Sequence, residues 1–162
     1  SKFFRRYSTA DFRRLYANRN LQHAVGFNDF VRGERRKVFE GRYMSHEYFI
    51  RCVREWSEVG ESYGDVHYRP MAQCRISARI LDDSEGLMTP CRCTITDVRV
   101  IIGKSSHKPS EIVSFRGRFA EQVRAGERVI AHGRLETVRS GQFSHLRLVV
   151  GEGRRDILLS VE

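Results

Sequence analysis

The stretch Gly126-Glu127-Arg128-Val129-Ile130-Ala131-His132-Gly133-Arg134-Leu135-Glu136-Thr137-Val138 constrains the fold more than any other, because after a Gly-Glu turn it alternates with a period of two. Val129, Ala131, Gly133 and Leu135 form its inward set, and Arg128, His132, Arg134 and Glu136 its outward set. A strand with one dry face and one wet face must close over a core. The same parity runs through its neighbours. Cys74, Ile76, Ala78 and Ile80 alternate with Arg75, Ser77 and Arg79, before a turn at Asp82-Asp83-Ser84-Glu85-Gly86. Cys91 to Ile102 follows, with a change of face near Asp97 of the kind a β-bulge makes. Gly103 to Pro109 reads as a polar loop, after which Val113, Phe115, Gly117 and Phe119 face opposite to Ser114, Arg116 and Arg118. Ser140-Gly141 closes a hairpin into Leu146, Leu148 and Val150, and Ile157 to Val161 supplies a sixth strand. The pattern predicts a small antiparallel β-barrel over residues 73–162, closed or partly open, of the oligonucleotide-binding (OB) kind.

The N-terminal part reads differently, so the whole chain is expected to be α+β. Ser8 and Asp11 form a capping-box pattern ahead of a helix with Phe12, Leu15 and Tyr16 on one face, ending near Asn18 to Asn20. A second helix is expected from Leu21 or Asn28 to Lys37, with Phe27, Phe30 and Val31 buried and Arg35, Arg36 and Lys37 as a basic last turn that complements the helix dipole. Val38 to Trp56 admits two readings: a helix capped by Ser45 and carrying Phe49, Cys52, Val53 and Trp56, or a hairpin. Gly60, Gly64 and Pro70 interrupt regular structure. The expected organisation is a helical or α+β segment over 1–56, a connector over 57–72 and the barrel over 73–162. The barrel is expected to fold alone, and the aromatic-rich first segment to need a surface to pack on.

Charge points to the partner. The chain holds 29 Lys and Arg against 20 Asp and Glu, for a net charge of +9 and a pI near 9.9. Residues 1–72 carry +5 and residues 73–162 carry +4, so the excess is not a detachable tail. Arg75, Arg79, Arg92, Arg116, Arg118, Arg128, Arg134 and Arg147 supply 8 of the 15 basic residues of the β-half and fall on its outward rows, with few acids on those rows. Guanidinium rows over a curved sheet suit a DNA or RNA backbone, with Tyr68 or Phe143 offering a face for base stacking. Such binding would weaken as salt rises and show little sequence preference. An acidic protein partner is the other class that a basic face accommodates. No stretch reaches transmembrane length, and Ser1-Lys2-Phe3-Phe4-Arg5-Arg6 lacks the apolar centre of a signal peptide, so a cytoplasmic protein with no membrane partner is expected.

Catalytic and metal patterns are weak. Cys52, Cys74, Cys91 and Cys93 are irregularly spaced, and the last two continue an inward apolar row, which favours buried thiols over zinc. A bridge from Cys74 to Cys91 or Cys93 remains open. The six His residues form no metal-binding spacing, Asp82-Asp83-Ser84-Glu85-Gly86 reads as a solvated turn, and Gly151-Glu152-Gly153-Arg154-Arg155 lacks the Gly-Lys-Ser/Thr ending of a phosphate loop. No metal site is expected.

Several phrases taken together carry a resemblance: Gly60-Glu61-Ser62-Tyr63-Gly64-Asp65-Val66-His67-Tyr68-Arg69-Pro70, Asp82-Asp83-Ser84, Thr89-Pro90, Ser114-Phe115-Arg116-Gly117-Arg118-Phe119, Gly126-Glu127 and Gly133-Arg134-Leu135-Glu136. From about Asp11 onward the chain resembles the C-terminal part of an archaeal family of predicted nucleotidyltransferases, assigned to the DNA polymerase β-like superfamily. That resemblance implies Mg2+ and NTP as cofactor and substrate of a complete catalytic domain, where a Gly-Ser turn and an Asp-X-Asp pair hold metal. This chain has no Gly-Ser followed by Asp-X-Asp, so it is expected to need no cofactor and to be inactive alone. The resemblance also implies that Val38 to Val53 matches the superfamily strand bearing a third carboxylate, making Glu47 the one catalytic candidate. The expected role is an accessory region that binds or positions nucleic acid. Completion of an active enzyme by a missing N-terminal segment, or by a catalytic domain or subunit in trans, is the alternative.

Overall fold

A computed structural model describes residues 7–60, 62 and 64–161. The opening hexapeptide, and Glu61 and Tyr63 of the first resemblance phrase, lie outside the described residues. Two helices, α1 (Thr9–Asn18) and α2 (Phe27–Arg36), precede a hairpin of β1 (Glu40–Tyr43) and β2 (His46–Phe49). Six further strands follow: β3 (Val66–Asp82), β4 (Cys91–Ile102), β5 (Glu111–Ser114), β6 (Arg128–Ser140), β7 (Phe143–Val149) and β8 (Ile157–Ser160).

The six strands lie in the order β3-β4-β5-β7-β6-β8, and β6 also pairs along β3, which closes β3-β4-β5-β7-β6 into a ring. All its pairings are antiparallel except β5 with β7, which run parallel. A five-stranded Greek-key ring of this order is OB-like, with an α+β chain around it. Cys74, Ile76, Ala78 and Ile80 meet Cys91, Cys93, Ile95, Val129, Ala131, Leu135 and Leu148 in its core. Burying each large aliphatic side chain there contributes about 1.5–3 kcal/mol. The expected bulge is present: Ser77 pairs with Arg99 but Arg79 with Thr96, and Asp97 takes a left-handed φ of 51°.

Close approaches at Gly133 and Gly117 depend on the missing side chain. A Cβ on Gly133 would sit 2.2 Å from the Val149 carbonyl oxygen. There β6 changes partners, from β8 at Val129 to His132 to β7 from Arg134 onward. A Cβ on Gly117 would overlap the Arg51 guanidinium and the Phe49 ring, so the hairpin packs where that side chain is absent.

The expected strand through Phe119 is corrected by the structure. β5 stops at Ser114, and Gly117–Phe119 is a 3-10 turn. The Ser114 hydroxyl donates to the Val150 carbonyl at 2.7 Å and accepts from the Arg116 N–H at 3.1 Å, which turns the chain out of the sheet. Phe119 then plugs the barrel, while Phe115 points outward and is 54% exposed. The segment expected to connect the two parts is strand from Val66 onward, because Val66 to Pro70 pair with Ser140 to Glu136.

The helices form as their caps and stripes predict, with both halves of the Ser8–Asp11 capping box made. Phe12, Leu21 and Phe30 build a second small core with Tyr16, Phe27 and Val31, so the N-terminal aromatics largely cover one another. Trp56 remains 91% exposed. Within the ambiguous segment residues 40–49 form the hairpin rather than the helix, with Met44 at a positive φ of 53° in its turn. Polar links fasten this part to the barrel, Arg54 to Glu85 and Arg51 to Thr89 among them. Arg36 pairs with Glu127, and the buried Glu121 carboxylate accepts the N–H groups of Val38 at 2.9 Å and Phe39 at 3.0 Å.

Candidate nucleic-acid interface

The outer face of the ring is organised around Arg147. Its position on β7 faces Glu136 on β6, and its Nε and a terminal nitrogen lie 2.7 and 2.6 Å from one Glu136 oxygen. Both residues are buried, at 5% and 6% exposure. The Arg147 guanidinium sits 4.2 Å from the centroid of the Tyr68 ring and 6.0 Å from that of Phe115. Tyr68 comes from the start of β3 and Phe115 from the chain leaving β5. Two separate segments thus place half-exposed rings against one fixed cation, an arrangement worth about 0.5–2 kcal/mol per ring contact. Phe143, at the tip of the β6–β7 hairpin, is 84% exposed.

The outward arginines differ in what they have left to offer. Arg92 lies 3.3 Å from Glu111 and 3.6 Å from Glu85, whose carboxylate also holds Arg54. Arg134 lies 2.9 Å from Glu152 and 3.7 Å from Glu136. Arg128 pairs with Asp97, and its hydrogen bond and charge hold the Asp97 carboxyl below the usual carboxylate range. Arg79 donates to the Gly126 carbonyl, bracing the turn that opens β6. Arg75 stands opposite His132 and Ile102 on β3. Arg116 and Arg118 leave the sheet with the 3-10 turn. The outward acids Glu85, Glu111, Glu136 and Glu152 correct the expectation that few acids share the rows; Glu136 belongs to the outward row of β6 itself, and the other three come from neighbouring strands and loops, which alternation within one strand does not reveal. Arg92, Arg128, Arg134 and Arg147 therefore brace the face through ion pairs, whereas Arg75, Arg116 and Arg118 have no ion-pair partner among the described residues.

The remaining candidates sort plainly. Glu47 lies on β2, its side chain 55% exposed and 3.4 Å from Arg14, and no group of three metal-binding side chains occurs among the described residues. Asp82 accepts from the Ser84 hydroxyl at 2.6 Å and its N–H at 3.2 Å, a local turn that holds the carboxyl below its ordinary range. In the Gly151 loop the three successive N–H groups of Gly151, Glu152 and Gly153 all donate to one Asp156 oxygen, at 2.9, 3.0 and 2.9 Å. An internal carboxylate thus occupies the place that an anion takes in a phosphate loop. The four cysteines are free, so no Cys74 bridge forms, and burial pushes the Cys93 thiol up to about 12.

Two features were missed from sequence, Phe115 as an outward ring and Glu136 as the anchor of Arg147. Their signal was cross-strand register, which one strand's parity does not contain.

No protein-family model and no solved structure matches the chain. It is similar to MJ1086, an uncharacterized protein of the archaeon Methanocaldococcus jannaschii, at 31% identity over 141 residues. The match takes in 86% of this chain but 39% of the relative, so the chain spans about two fifths of that protein's length. Among the described residues no helix is long and apolar enough to cross a membrane.

Proposed function

We propose that this chain is a nucleic-acid-binding module in which an OB-like barrel receives a single strand across Tyr68 and Phe115. The observation that carries the reading is the pair of exposed rings held on Arg147, since base stacking on aromatic faces is sequence-tolerant and contributes about 1–3 kcal/mol per base. A net charge of +9 supplies the long-range attraction for a polyanion. Arg75, Arg116 and Arg118 are the members of the arginine rows best placed to meet phosphate. Arg147, Arg92, Arg128 and Arg134 act by positioning.

The partial coverage of the longer relative supports an accessory role within a larger protein. The nucleotidyltransferase resemblance suggests that such a protein carries its Mg2+ and NTP chemistry elsewhere, with this region holding the acceptor strand. Fluorescence anisotropy with labelled single-stranded DNA and RNA, across a salt series, tests the binding. Affinity should fall as salt rises, and Tyr68→Ala with Phe115→Ala should weaken it by about tenfold or more. Equal affinity of the folded double variant would refute the stacking role.

A further inference from the structure

We propose that the cleft where the N-terminal helices meet the barrel is a phosphate-binding site, built from Arg19, Arg116, Arg118 and Arg154, for ligands bearing two or more linked phosphate groups. The cleft has a volume of about 440 Å³, and its walls come from the end of α1, the 3-10 turn after β5 and the Gly151–Arg154 loop. Among its lining residues Leu21 is the single large apolar one and no ring faces it, so it offers charge and no surface for a base. Its volume lies within the range of about 300–1,000 Å³ typical of small-ligand sites. One phosphate is satisfied by one or two guanidinium forks, and four forks match a pair of phosphates.

The charge balance points the same way. Arg19 is held in place by Glu40 at 2.6 Å and Glu34 at 3.3 Å. Those two acids also pair with the buried Lys37, at 2.9 and 2.7 Å, so the four groups balance in charge and Arg19 brings the cleft an oriented fork but no net charge. Glu152 lines the cleft but is drawn to Arg134, and one oxygen of Asp156 is committed to three backbone N–H groups. Arg116 and Arg118 have no ion-pair partner among the described residues, and the Arg118 guanidinium lies 4.7 Å from the Phe119 ring centroid, fixed on an apolar support. Burial, reinforced by Arg19 and Arg116 nearby, lowers the Arg118 pKa from its ordinary value. A concave site that adds the charges of Arg116, Arg118 and Arg154 to the balanced Arg19 group is stabilised when an anion enters.

This inference shares Arg116 and Arg118 with the proposed strand surface but does not rest on stacking at Tyr68 and Phe115. Its test is isothermal titration of the full chain with inorganic pyrophosphate. Binding at one site per chain is expected, weakened by about tenfold or more in Arg116→Ala with Arg118→Ala, and likewise in Arg154→Glu, whose exposed loop position leaves folding intact. Tyr68→Ala with Phe115→Ala should bind pyrophosphate as the parent does, even if it no longer binds oligonucleotides. Two oligonucleotides, one with a 5′-diphosphate and one with a 5′-hydroxyl, distinguish the sources of the ligand. An arginine-dependent preference for the diphosphate assigns the cleft to a strand end; equal binding alongside retained pyrophosphate binding assigns it to a free ligand. Absence of stoichiometric pyrophosphate binding, or binding unchanged in both arginine variants, would overturn the site.

Discussion

Replacing Glu121 should loosen the N-terminal part from the barrel without dissolving the barrel itself. The side chain is buried at 5% exposure, and its two oxygens accept the N–H groups of Val38 and Phe39 at 2.9 and 3.0 Å. In Glu121→Ala both donors lose their acceptor. Each hydrogen bond to a charged group contributes about 1.5–3 kcal/mol, and a buried donor left unpaired costs about 1–3 kcal/mol, two views of the same loss rather than separate amounts. Removing the carboxylate also ends its own desolvation cost, which offsets part of this. The expected destabilisation is about 2–4 kcal/mol. Glu121→Gln keeps one acceptor but turns an NH2 group toward the other donor, so its loss should be about half as large. Glu121 also holds a left-handed φ of 62°, so Glu121→Gly, which relaxes that backbone, should still destabilise because it restores no acceptor. Urea unfolding followed by far-UV circular dichroism gives the magnitudes, and amide hydrogen exchange gives their location. The Val38 and Phe39 amides and those of α2 should exchange faster in the Ala variant, while Ile76 and Ala131 in the barrel remain protected. A loss below about 0.5 kcal/mol, or a Gln variant as damaged as the Ala variant, would refute the reasoning.

The other expectations concern the barrel. Gly133→Ala should cost at least about 1–3 kcal/mol, because its methyl group would meet the Val149 carbonyl where β6 changes partners; a melting curve identical to the parent's would contradict this. Ellman's reagent should modify Cys52 rapidly in the folded protein and all four cysteines only after unfolding, since Cys74, Cys91 and Cys93 are buried with raised pKa values; fast reaction of a second thiol would count against the core assignment. Burial, with Arg75 opposite, lowers the His132 pKa from its ordinary value. The unfolded chain therefore binds the proton first, and stability should fall as pH drops from about 6.5 toward the lowered value, then level off. His132→Gln should flatten the urea midpoint between pH 7.5 and 5.5, and an unchanged slope would remove His132 as its source.

Much of the fold could be read from local rules, because those rules act over a few residues. The Ser8–Asp11 box, the bulge at Asp97, the Gly126 turn and the Ser140-Gly141 hairpin each depend on neighbours in sequence, and each forms. What escaped was pairing. Nothing in the alternation of β3 or β6 states that Val66 lies opposite Ser140, or that β5 and β7 run parallel. The misplacement of Phe115 came from continuing a period past Ser114, whose hydroxyl ends the strand through contacts with Val150 and Arg116. The arginine rows were visible, with Glu136 among them, but the pairings were not: Glu136 meets Arg147 from the next strand, and Glu111 and Glu152, from another strand and a loop, make Arg92 and Arg134 braces. The hairpin at residues 40–49 was ambiguous because its apolar positions suit either period.

The most direct test of the binding surface is to locate a bound strand by ultraviolet cross-linking of a photoreactive single-stranded oligonucleotide to the full chain, followed by mass spectrometry of the peptides. Cross-links should concentrate at Tyr68, Phe115 and Phe143 and disappear when unlabelled strand competes. Cross-links confined to other faces of the barrel, or none above the level of an unrelated basic protein, would contradict the account.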